Sequence, residues 1–250
     1  MALDGIILSK LKQDLDTYLP IRINRIAETS KTEVVFNVHA NEKRMNLVMS
    51  FHSVYNHICL SERNYNTYNE PSTFVMVLRK YILNGIIYKI EQFDYDRYLL
   101  LHILARDELY DEKEYILSVE LMGKYANLIL VNSENKIIDA LKKIPPYENT
   151  HRTIIPGAIF MLPDKQNKKD AFNTKDVNFE ESLVNQLQGF SKLLEQEVRY
   201  RLNNGELYND IIQRIKDSNK LYLTRKKDNI EFHIIPLTHI CNEYEECDIH

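Results

Sequence analysis

The stretch Glu120-Leu-Met-Gly-Lys-Tyr-Ala-Asn-Leu-Ile-Leu130 places a glycine between two apolar, strand-like segments. Because glycine lacks a Cβ atom, Gly123 permits a backbone turn or a close approach that other residues resist. A second stretch, His151-Arg-Thr-Ile-Ile-Pro-Gly157, puts Arg152 just before a Pro-Gly turn. The first stretch therefore predicts strands joined by a glycine-dependent turn, and the second predicts a cation beside a rigid turn.

Short apolar and β-branched runs lie on both sides of these stretches and predict further strands. The runs cover residues 21–27, 33–39, 45–51, 58–61, 86–92, 98–105, 114–122, 127–132 and 136–143. Polar turn residues separate neighbouring runs, as at 39–42 and 132–135. Many short strands joined in this way indicate antiparallel sheets that pack as a sandwich.

Two helices are predicted to flank these strands. Apolar side chains recur at helical spacing over residues 5–19, and Pro20 ends that pattern. A second helix is predicted to begin at Pro71 and to end at Asn84-Gly85. Residues 1–162 are therefore expected to form an α+β, β-sandwich-like domain.

The rest of the chain changes to helical periodicity. Residues 163–175 are rich in Lys, Asn and Asp and are interpreted as a linker. Apolar stripes over 179–187, 192–202 and 206–217 predict a helical region at 176–219. Its segment Leu187-Gln-Gly-Phe-Ser191 resembles the hairpin of a helix-hairpin-helix unit. Residues 220–240 are predicted to form a closing β-hairpin, and 241–250 are interpreted as a tail.

Composition limits the classes of function. The 250 residues carry a net charge of -4, which argues against coating nucleic acid through bulk positive charge. Three cysteines are too few and too scattered for a disulfide framework. Charged residues interrupt the start of the chain, and no apolar run reaches the roughly 20 residues of a membrane span. We therefore expect a cytoplasmic protein without a membrane partner.

The sequence contains none of the common catalytic or nucleotide-binding patterns. It has no G-x-x-x-x-G-K-S/T, G-x-G-x-x-G, H-E-x-x-H, G-x-S-x-G or C-x-x-C. Cys241 and Cys247 do not have the usual spacing of zinc ligands. We therefore predict a protein that is not an enzyme and that holds no metal or cofactor.

Several short motifs resemble one family when they are taken together. They are Met1-Ala-Leu-Asp-Gly5, Asp94-Tyr-Asp-Arg97, the Met122-Gly123 loop, and Arg-Thr-x-x-Pro-Gly at 152–157. This set resembles the N-terminal domain of the RqcH/NEMF family, also called NFACT or fibronectin/fibrinogen-binding protein A. The resemblance covers about 1–162, 175–218 and the closing hairpin.

The resemblance implies a fold similar to the N-terminal domain of the formamidopyrimidine-DNA glycosylase family. Those glycosylases use an N-terminal Pro amine as nucleophile, followed by a Glu. Here Ala2 and Leu3 follow Met1, so the attacking amine and its acid are both missing. A DNA-binding module without catalysis remains one alternative.

The function that the resemblance implies is ribosome quality control. Family members bind a large ribosomal subunit obstructed by peptidyl-tRNA and recruit a charged tRNA, alanyl-tRNA in bacteria. They thereby support untemplated alanine tailing of the stalled chain, while the ribosome performs peptide transfer. Family proteins continue into a coiled coil and a C-terminal domain, so we interpret this chain as a fragment. The family's older name suggests a second alternative, a surface adhesin that binds fibronectin or fibrinogen.

The resemblance also implies a set of tRNA contacts. Arg97 offers a planar fork of donors suited to phosphate or base edges, and Asp96 is expected to orient it. Without the resemblance, a solvent-exposed ion pair is the favoured interpretation of the same two residues. The complete set of predicted contacts is Asp96, Arg97, Arg79, Met122, Gly123, Lys124, Asn127 and Arg152.

Three basic clusters are further candidates for phosphate contacts, although such clusters are usually only solvated surface. They are Lys142-Lys143, Lys165 with Lys168-Lys169, and Arg225-Lys226-Lys227. Asp139, close to the first cluster, is interpreted as a turn residue or an interstrand partner.

Overall fold

Helix α1 (Gly5–Asp16) begins at Asp4, whose carboxylate accepts a hydrogen bond from the Ile7 N–H at 2.8 Å. The computed structural model describes residues 3–107, 109–148, 152–226 and 229–249. The apolar face of α1 is buried, as its helical spacing predicts. The helix ends four residues before Pro20, close to the predicted boundary.

Four strands follow α1 and form the first half of the large sheet. They are β1 (Ile21–Ser30), β2 (Glu33–Ala40), β3 (Lys43–Ser50) and β4 (His57–Ser61). The predicted turn between β2 and β3 is present, with Asn41 and Glu42 at φ 48° and 63°. Positive φ at both central residues suits the twist of a tight hairpin.

Helix α2 (Thr73–Ile82) leads into the second half of the sheet. Its N-cap is Ser72, whose hydroxyl accepts from the Val75 N–H. The strands are β5 (Ile86–Glu91), β6 (Tyr98–Arg106), β7 (Glu112–Glu120), β8 (Asn127–Asn132) and β9 (Ile137–Ala140). All nine strands predicted for residues 1–162 are therefore present.

These strands form one antiparallel sheet in the order β4-β3-β2-β1-β5-β6-β7-β8-β9. The halves are joined through a short β1–β5 pairing, Ile21 with Ile87 and Arg22 with Ile86. Both halves contribute to one hydrophobic core that also contains the buried faces of α1 and α2. The predicted antiparallel α+β fold is confirmed, with the strands of residues 1–162 in one continuous sheet and not in separate sheets.

Three helices and a small sheet complete the described chain. The helices are α3 (Leu183–Gln186), α4 (Lys192–Asn203) and α5 (Tyr208–Asp217). The small sheet has the order β11-β10-β12, from β10 (Lys220–Lys226), β11 (Asn229–His233) and β12 (Tyr244–Asp248). The β10–β11 hairpin was predicted. The interpretation of 241–250 as a tail missed β12, which pairs with β10 along its whole length.

The segment 163–175 is packed against the helices although the described residues place no helix or strand in it. Lys169 pairs with the chain around Leu187, donating to Gln186 O at 2.7 Å and accepting from Gln188 N–H at 2.9 Å. Ala171 is buried in the main core. This packing places Lys168 close to the starts of α1 and α4.

None of the helices among the described residues has the length and the apolar character needed to cross a lipid bilayer.

Candidate nucleic-acid interface

A cleft of about 290 Å³ opens where four segments of the chain meet. The segments are the β5–β6 turn, the start of α1, the segment 163–175, and the loop that leads from α3 into α4. Asp96 and Arg97 line it from the turn, Lys168 from the packed segment, and Ser191 and Lys192 from the start of α4. The cleft therefore brings the predicted Asp-Arg pair next to the loop that resembles a helix-hairpin-helix hairpin.

Two glycines let these backbones approach one another. An ideal Cβ atom on Gly5 would lie 1.6 Å from Tyr95 O and 2.9 Å from Gly189 Cα. Gly189 has φ +74°, a conformation that residues with a Cβ atom rarely adopt. The cleft wall therefore depends on the absence of side chains at both positions.

Replacing Gly5 with Ala is expected to destabilise the protein by roughly 1–3 kcal/mol or more, because the methyl group overlaps the Tyr95 carbonyl. Thermal unfolding of the purified variant measures the effect. Gln13→Ala, at an exposed position of the same helix, serves as the control and is expected to change little. An unchanged melting temperature for Gly5→Ala would show that the wall relaxes freely.

The turn before β6 holds Asp96 and Arg97 by its backbone. Asp94 and Tyr95 both have φ 52°, and Asp96 N–H donates to Phe93 O at 2.8 Å. The Asp96 carboxylate accepts from the backbone N–H of Arg97 at 2.9 Å. The expected ion pair between the two side chains is not formed, because the turn directs this carboxylate to the backbone.

The guanidinium of Arg97 is half-buried in the cleft and has no hydrogen-bond or ion-pair partner among the residues that the structure describes. A guanidinium carries five donors that suit phosphate and carboxylate oxygens. Arg97 is therefore positioned by its turn while its donors remain available to a ligand.

Lys168 supplies a second cation to the same cleft. Burial lowers the pKa of Lys168, the charge of Asp96 raises it, and the charge of Arg97 lowers it further. These influences place Lys168 close to both residues. Its ammonium group likewise has no partner within the described part of the chain. Lys165, in contrast, pairs with Asp94 at 2.9 Å.

The starts of α1 and α4 meet beside these cations. Asp4 caps α1 and accepts a hydrogen bond from the hydroxyl of Ser191, which in turn caps α4. Asp4 also accepts from Nε2 of the fully buried His233 at 2.8 Å. The starts of two helices therefore meet at one cleft, and the Asp4 carboxylate already binds at both of them.

The predicted loop Met122-Gly123-Lys124 lies next to Arg97. Leu121 N–H donates to Arg97 O at 2.8 Å, and Tyr98 pairs with Glu120 across β6 and β7. Gly123 adopts φ +58° and begins a short 3-10 turn, Gly123–Tyr125. The structure therefore places this loop and the Asp-Arg pair at the same end of the sheet.

Asn127 and Arg152 lie at this end as well, but their side chains form hydrogen bonds within the protein. Asn127 is buried, donates to Lys142 O at 2.8 Å and accepts from Lys142 N–H at 2.9 Å. Arg152 forms two hydrogen bonds with the buried Glu120, at 2.7 and 2.5 Å, and donates to Met161 O. The structure thus supplies a structural role for both predicted contacts.

Arg79 is not brought to the cleft. It is half-buried, its Nε donates to Ile26 O at 2.8 Å, and it lines a separate surface recess with Arg25 and Tyr68. Nearby on α2, Tyr81 packs on Tyr115, which lies towards the opposite end of β7 from Glu120. Among the predicted tRNA contacts, Arg79 therefore lies apart from the cleft that contains Arg97.

Most of the described cations in the remaining basic clusters form hydrogen bonds or ion pairs within the protein. Lys142 donates to Phe51 O at 3.2 Å, and Lys143 pairs with the buried Asp139 at 3.2 Å. Arg225 forms an exposed pair with Glu245. Lys227, like Met1, Ala2 and His151, lies outside the described residues. Asp139 lies in β9, and its carboxylate accepts from Ala140 N–H and pairs with Lys143, which follows the strand.

Within the described ranges, no group of three or more His, Cys, Asp or Glu side chains is arranged to hold a metal ion.

The sequence indicated Lys168 only as one member of a lysine cluster, and it did not indicate Lys192 as a cleft residue. Lys168 reaches the cleft because the segment 163–175 packs against the helices, and the composition of that segment does not predict this packing.

Comparison with known proteins defines the class of this chain. It is 35% identical over 188 residues to the Rqc2 homolog RqcH of Streptococcus suis and 34% identical over 214 residues to that of Bacillus subtilis. These matches cover 74% and 80% of this chain but 34% and 38% of the relatives. The chain therefore spans little more than a third of those proteins.

A solved structure, the N-terminal part of the fibronectin/fibrinogen-binding protein from Streptococcus suis, has the same fold. It superposes with a TM-score of 0.80 at 31% identity, covering 93% of this chain and 90% of that one. The antiparallel sheet with helices beside the cleft is thus an established α+β architecture. Residues 4–247 match the family described as NFACT N-terminal and middle domains, and the chain belongs to that family. The resemblance seen in the sequence is confirmed.

Proposed function

We propose that the cleft around Arg97 binds tRNA, and that the full-length protein uses this domain in ribosome quality control. The observation that carries the proposal is a pair of half-buried cations, Arg97 and Lys168, that face the cleft without partners among the described residues. Phosphate oxygens are natural ligands for such cations.

Charge supports a local RNA site on an acidic protein. The chain has a net charge of -4, so affinity for a polyanion must come from a confined cationic region. The 35% identity to a relative named Rqc2 homolog RqcH supports the link to ribosome quality control. In this proposal the full-length protein recruits charged tRNA to an obstructed large ribosomal subunit in the cytoplasm and supports alanine tailing. The domain positions the tRNA, and the ribosome carries out the chemistry.

Arg97→Ala is expected to weaken tRNA binding by about 10- to 150-fold, the value of one charge-assisted hydrogen-bonded contact of about 1.5–3 kcal/mol. Lys168→Ala is expected to have a smaller effect of the same kind. Fluorescence anisotropy with a folded tRNA over a range of salt concentrations measures both affinity and salt dependence. Each lost phosphate contact is expected to reduce the slope of log K against log salt concentration by about 0.9.

Arg106→Ala provides the matched control for this experiment. Arg106 is an exposed arginine at the other end of β6, so its removal changes the net charge equally but leaves the cleft intact. Equal affinities of the Arg97→Ala and Arg106→Ala variants would contradict the proposal. Stronger binding of duplex DNA than of tRNA at matched salt would favour the DNA-binding alternative.

A second candidate function comes from the solved relative, which is described as a fibronectin/fibrinogen-binding protein. The same purified variants can be tested on immobilised fibronectin and fibrinogen. If Arg97→Ala lowers capture of these proteins while tRNA shows no binding, the second candidate replaces the first.

A further inference from the structure

Three loops meet at the end of the sheet next to the cleft and carry exposed aromatic rings. They are 51–56, 122–126 and 141–147. An ideal Cβ atom on Gly123 would lie 3.7 Å from Ser53 O, so the first two loops are in close proximity. Tyr55 and Tyr125 are each 63% exposed. Large exposed rings grouped at one place mark an interaction surface more often than isolated ones do.

Ring stacking and hydrogen bonds fix the positions of the aromatic side chains in loop 51–56. The rings of His52 and Tyr55 stack with centroids 5.3 Å apart and planes inclined by 19°. His52 Nδ1 accepts hydrogen bonds from Val54 N–H at 3.2 Å and Tyr55 N–H at 3.3 Å. The buried Asn56 donates to His52 O at 3.2 Å. The stacked pair is therefore preorganised.

The charges around these rings are cationic. Lys124 lies over the ring of Tyr125, with Nζ 4.9 Å from its centroid. Lys142 binds Phe51 O and so ties the third loop to the first. Loops 51–56 and 122–126 contain no Asp or Glu, and the exposed Glu148 directly follows Tyr147 in the third loop. In the adjoining strands, Glu120 and Asp139 are buried and paired with Arg152 and Lys143.

We propose that His52, Tyr55, Lys124 and Tyr125 form a stacking platform for unpaired nucleobases of an RNA. Aromatic faces stack on any base, and neighbouring cations contact the connecting phosphates. The platform is continuous with the cleft, because Leu121 hydrogen-bonds to Arg97 and leads directly into the Met122-Gly123 loop. The inference extends the proposed function, which it rests on for the identity of the partner as RNA.

The test uses a short single-stranded RNA that contains 2-aminopurine, together with folded tRNA. Tyr55→Ala and Tyr125→Ala are each expected to weaken binding of the oligonucleotide by roughly 5- to 150-fold, the effect of losing one stacked base. Quenching of 2-aminopurine fluorescence on binding is expected to decrease in parallel. Tyr55→Phe and Tyr125→Phe keep the ring and are expected to bind like the wild type.

Tyr110→Ala is the matched control, since Tyr110 is 82% exposed in the β6–β7 turn at the other end of the sheet. The alanine variants are expected to leave the salt slope almost unchanged, in contrast to Arg97→Ala. If the wild type does not bind the oligonucleotide, or if the alanine and control variants bind it equally, the platform is ruled out. Capture of fibronectin that depends on Tyr55 and Tyr125, without RNA binding, would also overturn it.

The two proposals fail in different ways. Tyrosine-dependent binding of the oligonucleotide without any tRNA binding supports the platform and contradicts the proposed function. Binding of tRNA that depends on Arg97 but not on either tyrosine supports the proposed function and contradicts the platform.

Discussion

Asp4→Ala is expected to lower the free energy of unfolding by about 3–5 kcal/mol, because it removes a buried carboxylate and leaves its buried hydrogen-bond donors unpaired. Asp4 is 4% exposed, and its carboxylate accepts hydrogen bonds from Ile7 N–H, the Ser191 hydroxyl and His233 Nε2. Removing it leaves His233 without its partner and both helix starts less well capped. Chemical denaturation monitored by circular dichroism measures the change.

The contribution of Asp4 to stability depends on pH. Burial alone would raise the pKa of Asp4, but the charge and hydrogen bond of His233, the Ile7 N–H and the Ser191 hydroxyl bring it below the ordinary value of 3.8. A depressed pKa means that the carboxylate stabilises the fold fully above about pH 3.8. This contribution is lost as the pH falls further, through the folded-state pKa. The difference in stability between wild type and Asp4→Ala is therefore expected to shrink below that pH.

Two variants separate the causes. Asp4→Asn keeps an oxygen that can cap α1, so it is expected to lose less stability than Asp4→Ala. Asp16→Ala removes a carboxylate from the half-buried pair with Lys12 at the other end of α1 and is expected to cost about 1 kcal/mol. Equal stability of the Asp4→Ala and Asp16→Ala variants would show that the buried network contributes nothing.

Arg152→Met is expected to have an effect of similar size, about 3–5 kcal/mol, because it leaves the Glu120 carboxylate buried without a counter-charge. The Glu120 side chain is 1% exposed and the Arg152 side chain 16%. Adding Glu120→Met is expected to restore part of the lost stability, since the buried charge is then removed as well. Thermal unfolding of the two single variants and the double variant gives the coupling between the residues.

This experiment also tests whether Arg152 contacts tRNA. Arg225→Ala is the control, because Arg225 forms an exposed pair with Glu245 and its loss is expected to change stability little. A structural role predicts that Arg152→Met lowers the melting temperature. A normal melting temperature combined with weaker tRNA binding would instead identify Arg152 as an RNA contact.

The large sheet was predictable because its signals are local. Alternating apolar residues and turn-forming polar pairs lie next to each other in the sequence, so every strand of residues 1–162 could be assigned. β12 could not be assigned in this way. Its residues Tyr244–Asp248 are mostly acidic and exposed, and the strand is held by backbone pairing with β10, which side-chain periodicity does not reveal.

The site was harder to predict, because side-chain partners are chosen by tertiary structure. Arg97 could be identified from a short motif, and the structure places it in a cleft. The motif gave no indication that Arg152 would pair with Glu120, which is 32 residues away. Nor could Lys168 be separated from its neighbouring lysines before the packing of 163–175 was known.

The hydrogen bond between Asp4 and His233 spans 229 positions of the chain. During synthesis, residues emerge from the amino terminus, so the large sheet can form well before His233 has been made. The cleft lacks this support until the small sheet has joined α1. Premature termination upstream of β11 should therefore yield a protein that keeps the strands of the large sheet, lacks Ile234, Ile235 and Ile249 from its main core, and has a loosely assembled cleft.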